Sequence, residues 1–199
     1  MEFKKLGKSD LKVSSYCLGT MTFGEATSET DSHVQIDQSI ASGINFIDTA
    51  EMYPTCPLRE QTTGDTEVII GNWIEKNKSK RADFILASKI SGKGYKAVRN
   101  GEGIDEKSIK IAIEGSLKKL KTDYIDLYQL HWPNRGSYHF RQNWNYNPTN
   151  QDTVLAKDNM NGVLNSLSDL QKEGKIRYIG LSNETCWGTS QFLDQLKNF

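Results

Sequence analysis

Three β-prone runs in this sequence each end in a side chain that can carry charge or move a proton. Asn45-Phe46-Ile47 runs into Asp48, Phe84-Ile-Leu-Ala-Ser88 into Lys89, and Tyr124-Ile-Asp-Leu-Tyr-Gln-Leu130 into His131. In parallel α/β folds, ligands bind and chemistry happens at the carboxyl ends of strands, so a carboxylate, an ammonium and an imidazole in those places suggest an active site. Tyr53, shortly after Asp48, adds a phenol. Taken singly, each has a plain structural account: a turn cap, a surface lysine, a satisfied core histidine, a solvated loop tyrosine. The set is what needs explaining.

The elements that would position these groups follow a regular alternation. Residues 3–6, a Gly7-Lys8-Ser9-Asp10 turn and residues 11–13 read as a β-hairpin that caps one end of the fold. Residues 16–20 are expected to form the first core strand, and Gly19 and Gly24 bracket a loop, Thr20-Met21-Thr22-Phe23, where backbone can approach a ligand closely. A helix is predicted from about Thr30 as N-cap, with Ile36, Ile40 and Ala41 on one face and Gly43 as its stop. Thr66 is expected to precede a second helix that buries Val68, Ile69, Trp73 and Ile74 and closes on charged residues 76–81. Asp105 caps a third, with Ile109, Ile113, Leu117 and Leu120 at helical spacing. Met160, Val163, Leu164, Leu167 and Leu170 mark a fourth, stopped by Gly174. Residues 176–181 form a fifth core strand ending at Ser182 and Asn183, and residues 187–199 a last helix with Phe192, Leu193 and Leu196 in step. Residues 132–158 are far longer than the roughly four to six residues of a usual connection. They carry Trp132, Tyr138, Phe140, Trp144 and Tyr146, and are expected to line a pocket, the alternative being a loosely ordered insertion.

Composition narrows the function class. With 36% hydrophobic and 25% charged residues over 199 positions, the chain is an ordinary globular sequence able to bury one sizeable core. Zero net charge and a pI near 6.8 give no basic surface for nucleic acid or an anionic membrane. No apolar run approaches the ~18–20 residues of a bilayer span, and the first residues lack the apolar core of a signal peptide. Cys17, Cys56 and Cys186 are odd in number, dispersed and outside any C-x-x-C pair, which argues against a disulfide framework or a zinc site and places the protein in a reducing cytoplasm. Gly7-Lys8-Ser9 imitates the end of a P-loop, but Glu2 stands where the earlier glycine belongs. Ser91-Gly-Lys-Gly94 and Gly101-Glu-Gly103 do not make G-x-G-x-x-G between a strand and a helix, so a dinucleotide, if bound, is bound without a Rossmann fingerprint.

In order along the chain, Leu18-Gly-Thr-Met21, Asp48-Thr-Ala-x-x-Tyr53, Lys89 after a core strand, Asp123-Tyr-Ile-Asp-Leu-Tyr-x-x-His131 and Gly180-Leu-Ser-Asn-Glu184 resemble the aldo-keto reductase superfamily, particularly its bacterial NADP-dependent members. The resemblance implies reduction of an aldehyde or ketone, a small-molecule carbonyl substrate, to an alcohol. Tyr53 would give the proton, Lys89 would lower the phenol's pKa from ~10, Asp48 would pair with Lys89, and His131 would polarise the substrate oxygen. Trp132 would wall the substrate pocket beside Tyr53 and His131. The hydride would come from NADPH, because no side chain donates one. Gly19, Thr20, Met21 and Asp48 match cofactor-loop residues, Ser182 and Asn183 match residues at the nicotinamide carboxamide, and no metal is implied.

The implied fold is α/β: a (β/α)8 TIM barrel, present as an amino-terminal β-hairpin plus about five of eight βα units. Residues 1–199 then read as one domain, the amino-terminal part of a reductase cut short at its carboxyl end, since such barrels typically run to ~250 residues. The family's nicotinamide-stacking aromatic and 2′-phosphate pocket would come after the sixth to eighth strands. A reading of another class stands beside the enzyme: a non-catalytic fragment, or a relative of the superfamily's channel-associated β subunits, using the scaffold for protein contacts.

Overall fold

A computed structural model describes residues 1–139 and 142–198; Phe140 of the long connection and the terminal Phe199 lie outside the described residues. Strands β1 (Phe3–Lys5) and β2 (Lys12–Ser14) pair antiparallel as the expected hairpin. Then come β3 (Leu18–Gly19), β4 (Phe46–Asp48), β5 (Ile85–Ile90), β6 (Ile125–Leu130) and β7 (Ile176–Leu181), a parallel sheet in sequence order. Helices α1 (Glu29–Ala41), α2 (Asp65–Lys76), α3 (Glu106–Leu120), α4 (Thr153–Lys172) and α5 (Cys186–Gln195) complete the alternation. The α/β expectation, a hairpin plus five βα units, is met.

Side chains alternate across a strand, and this decides what each face presents. Leu86, Ser88 and Ile90 of β5 and Tyr128 and Leu130 of β6 turn toward the helices and are buried, joining a core that includes Ile70, Trp73, Ile113 and Leu167. Lys89, Gln129 and His131 therefore fall on the opposite face, near the strands' carboxyl ends. The register sets Lys89 beside Gln129, and Gln129 beside Gly180.

The amino ends of the strands are locked by polar contacts. Asn45, just ahead of β4, accepts from the Ser14 N–H (2.7 Å) and donates to the Lys12 carbonyl (2.9 Å), and the Tyr178 hydroxyl donates to Asp10 (2.7 Å), so the hairpin closes this end. Beside it, buried Asp126 accepts from Arg81 (2.8 Å), Arg177 (3.0 Å) and the Leu86 N–H (3.0 Å), while both guanidiniums stack on the Tyr124 ring. A carboxylate buried so completely is tolerable only with several charged or N–H partners.

Several boundaries differ from expectation. The first core strand is two residues long, Leu18–Gly19, rather than spanning 16–20. The α1 N-cap is Ser28, whose hydroxyl accepts from the Asp31 N–H, and Thr30 lies inside the first turn. Gly64, at φ 92°, occupies the N-cap of α2, and buried Thr66 lies within the helix, donating to the Phe23 carbonyl (2.7 Å). Ile70 takes the buried place expected for Val68, because α2 packs on two neighbours and buries adjacent positions. Helix α4 begins at Thr153 with Asp152 as its cap, so the long connection ends before residue 153; exposed Val154 and Leu155 interrupt the apolar stripe that would have revealed its start. Leu193 and Leu196 are exposed, leaving Phe192 as the buried anchor of α5.

The start of the connection is anchored. Asn134 exchanges two 2.6 Å hydrogen bonds with the Ile104 backbone, and Arg135 forms a two-pronged ion pair with Glu184. Trp144, by contrast, is 90% exposed. Among the described residues no helix is long and apolar enough to cross a membrane.

Gly71 is where α2 and α3 approach most closely, for a Cβ there would lie 1.9 Å from the Lys119 carbonyl oxygen. Gly71→Ala should therefore destabilise the protein by ~1–3 kcal/mol or more, against the ~1 kcal/mol that alanine ordinarily adds in a helix. Denaturant unfolding measures it, and an unchanged or raised midpoint would contradict the packing.

Candidate active site

The site begins with Lys89, near the end of β5, whose side chain is 7% exposed. Its ammonium donates to Asp48 Oδ2 at 2.5 Å and to the Thr49 carbonyl at 2.8 Å. Burial pushes the Lys89 pKa down, and Asp48 opposes that shift. Asp48, the last residue of β4, takes its second partner from β6: Gln129 Nε2 donates to Oδ1 at 3.1 Å. Sequence reading passed over Gln129, although its spacing puts it on the same strand face as His131. Gly180 leaves the room it needs, since a Cβ there would lie 3.0 Å from Gln129.

Tyr53 stands over this pair, its ring centroid 5.0 Å from the Lys89 ammonium. The turn from 49 to 53 sets the distance: Thr49 N–H donates to the Ala87 carbonyl, Glu51 N–H to the Lys89 carbonyl and Tyr53 N–H to the Ala50 carbonyl. Gly64 N–H, at the start of α2, donates to the Tyr53 carbonyl (2.9 Å). His131, reached through β6, packs edge-on against Tyr53 with centroids 5.6 Å apart. The four residues expected to converge, Asp48, Tyr53, Lys89 and His131, thus lie at one end of the sheet.

One electrostatic expectation is corrected. Lys89 was expected to lower the Tyr53 pKa, yet the phenol is pushed up to about 12, first by burial and then by the charges of Asp48 and Cys56. The ammonium faces the ring and is engaged by Asp48 and the Thr49 carbonyl, so its field at the phenol is largely answered by Asp48. His131 is shifted the other way, down to about 3, by burial and then by the Lys89 charge. At neutral pH the site pairs a protonated phenol with a neutral imidazole.

Trp132 sits beside His131, centroids 4.9 Å apart, and donates its indole N–H to the Lys93 carbonyl at 3.1 Å. Gly92 permits this, because a Cβ there would lie 2.4 Å from the Trp132 carbonyl oxygen. Trp132 also separates two cavities. One of about 500 Å³ runs under the long connection toward Met160, Val163 and Ser182; the other, about 300 Å³, is bordered by Met52, Tyr95 and His139. Tyr53 and His131 line neither of these two cavities; by strand alternation His131 falls on the open side of the sheet, away from the helices.

The remaining expected residues surround that open side. Gly19 is exposed, and a Cβ on it would meet nothing within 4 Å. Thr20 is fully buried with its hydroxyl bonded to the Asp48 carbonyl (2.8 Å), so the threonine fixes the loop; Met21 at the loop's crest is 45% exposed. Ser182 and Asn183 follow β7, and Asn183 Nδ2 donates to the His131 carbonyl (2.8 Å) and to Ser182 Oγ (3.1 Å), leaving its side-chain oxygen as an acceptor. An exposed glycine loop on one side and an amide–hydroxyl pair on the other fit the nicotinamide end of a dinucleotide. Among the described residues no group of three or more His, Cys, Asp or Glu could hold a metal ion.

Comparison with known proteins bears on this arrangement. The sequence profile of the Aldo/keto reductase family matches residues 16–197. The protein tas of Escherichia coli (strain K12) is 45% identical over 196 residues, covering 97% of this chain and 55% of that protein. The solved aldo-keto reductase AKR11C1 from Bacillus halodurans, in its holo form, superposes with a TM-score of 0.71 at 30% identity, covering 98% of this chain and 54% of that one. The thermostable aldo-keto reductase Tm1743, solved with the inhibitor epalrestat, gives a TM-score of 0.70 at 25% identity, covering 98% and 58%. The chain thus spans about half the length of the relatives it matches.

The depressed His131 pKa predicts a pH dependence of stability. Unfolded histidine takes up a proton below ~6.5 while the folded site resists until about 3, so the unfolded state gains protons first and stability falls as pH drops between those values. His131→Gln should remove roughly 2 kcal/mol of the stability lost between pH 7 and pH 4.5. Urea unfolding of both proteins across that range measures it; identical slopes would show that His131 is not held neutral.

Proposed function

The chain belongs to the aldo/keto reductase family, and from that premise we propose that residues 1–199 form a domain of an NADPH-dependent reductase that converts an aldehyde or ketone to its alcohol. The observation that carries this reading is the convergence of Tyr53, Lys89, Asp48 and His131 at the strands' carboxyl ends. When bound, a nicotinamide cofactor would supply the hydride, which no side chain here can donate. Gly19 and Met21 on one side and Ser182 and Asn183 on the other would hold its reactive end.

The chain's own groups do the rest. His131, neutral and buried, donates a hydrogen bond to the carbonyl oxygen and draws charge toward it as the bond polarises. Tyr53, with its pKa near 12, stays protonated through the working pH range and gives its proton to that oxygen as charge develops. Lys89 then stands 5.0 Å from the ring of the phenolate being formed, and Asp48 fixes where that positive charge sits. Trp132 walls the substrate's side of the site. Three free cysteines suit a reducing cytoplasm.

Tyr53→Phe is the direct test. Losing a general acid costs about 10²- to 10⁴-fold in turnover, while the cofactor contacts above do not involve the phenol. The expected result is aldehyde reduction down by that factor, with NADPH binding, followed by fluorescence, within about threefold of the parent. Unchanged turnover would mean that another acid serves the reaction. Absence of both turnover and NADPH binding in a chain completed with three further βα units would favour the non-catalytic interaction module.

A further inference from the structure

Behind the proposed site lies a second ion pair with no part in the chemistry described so far. Glu51, 6% exposed, stands in the turn between Asp48 and Tyr53. Its backbone N–H donates to the Lys89 carbonyl (3.1 Å), and its carboxylate accepts from the Ser91 N–H (2.5 Å) and from Arg99 Nη1. Arg99 in turn donates through Nη2 to the Ser91 carbonyl at 2.8 Å. Glu51 and Arg99 together therefore grip both peptide groups of Ser91, directly after β5, and the carbonyl of Lys89 itself. On the other strand face, the side chain of Ser88, just before Lys89, donates through Oγ to buried Glu67 at 2.7 Å.

The backbone of Arg99 supports a deliberate arrangement. Arg99 and Asn100 both lie in the left-handed region, at φ 44° and 56°. Non-glycine residues there are strained and persist only where their surroundings over-determine them. The surroundings here are the two-pronged contact with Glu51 and Ser91.

We propose that the Glu51–Arg99 pair is a clamp that positions the reacting groups: it ties the turn carrying Tyr53 to the strand end carrying Lys89 and so fixes the phenol over the ammonium. Both residues act through others, and they are positioning residues. The inference rests on the reductase reading for its consequence in turnover, but not for its consequence in structure. Orientation effects are steep, since about 1 Å of misplacement can cost about 100-fold in rate.

Two measurements test it on the protein and on its Arg99→Met variant, with Glu51→Ala as the harsher version. Amide hydrogen exchange reads the clamp without reference to activity: the Glu51 and Ser91 amides should be protected in the parent and exchange at least about tenfold faster in the variants, while the β6 amides stay unchanged. Protection at those two amides that survives Arg99→Met in a folded protein overturns the clamp. In turnover, Arg99→Met should lower kcat by about 10- to 100-fold with KM and NADPH affinity within about threefold. Combined with Lys89→Met it should add little, because both changes act on one arrangement. A full additive loss, or an unchanged kcat in the single variant, also overturns it. If Tyr53→Phe and Lys89→Met leave turnover intact, the reductase reading fails instead, and the exchange result still decides the clamp.

Discussion

The ion pair between Asp48 and Lys89 is the interaction on which the rest of the site depends. A lysine with 7% of its side chain exposed cannot be left without an anion, for an unpaired buried charge costs several kcal/mol. That constraint explains why the carboxylate ends one strand and the ammonium stands near the end of the next. It also explains Gln129, which takes the carboxylate's other oxygen and so fixes its plane. The pair joins β4, β5 and β6 at their carboxyl ends, as Asp126 with Arg81 and Arg177 joins β5, β6 and β7 at their amino ends. One network serves the site and the other the frame.

The same pair acts on the phenol. Burial first, and then the Asp48 charge that answers the lysine's, makes Tyr53 keep its proton well beyond the ordinary tyrosine range instead of losing it early. The proposed donor is thus loaded before any substrate arrives. A neutral His131 complements it, since an imidazolium beside Lys89 would place two cations in a nearly dry site.

Much of this was legible in the residues. Strand endings in Asp48, Lys89 and His131 stood out because a two-residue period followed by a polar side chain is a local signal. The capping of α3 by Asp105 was readable for the same reason, its partners, the N–H and hydroxyl of Ser108, lying within one turn. Gln129, Glu51 and Arg99 were missed because their partners lie far off in sequence, 81 residues between Gln129 and Asp48 and 48 between Arg99 and Glu51. The alternation Gln129, His131 on one strand could have flagged the first; no local pattern announces the other two. The sign of the Tyr53 shift was misread because type and order place an ammonium near a phenol but do not say how deeply the phenol is buried or which partner the ammonium faces. The start of α4 escaped notice because its first turn exposes Val154 and Leu155.

The most direct test of the central claim is a titration of Tyr53 by ¹³C NMR of ring-labelled tyrosine, in the protein and in its Asp48→Asn variant. The account predicts a phenol whose titration midpoint lies near pH 12 in the parent. Removing the carboxylate frees the Lys89 charge to favour the phenolate, so the transition should move down by a unit or more, on the order of the effect of a neighbouring unit charge. A Tyr53 that already titrates at or below ~10 in the parent, or one that does not move when Asp48 is neutralised, would contradict it.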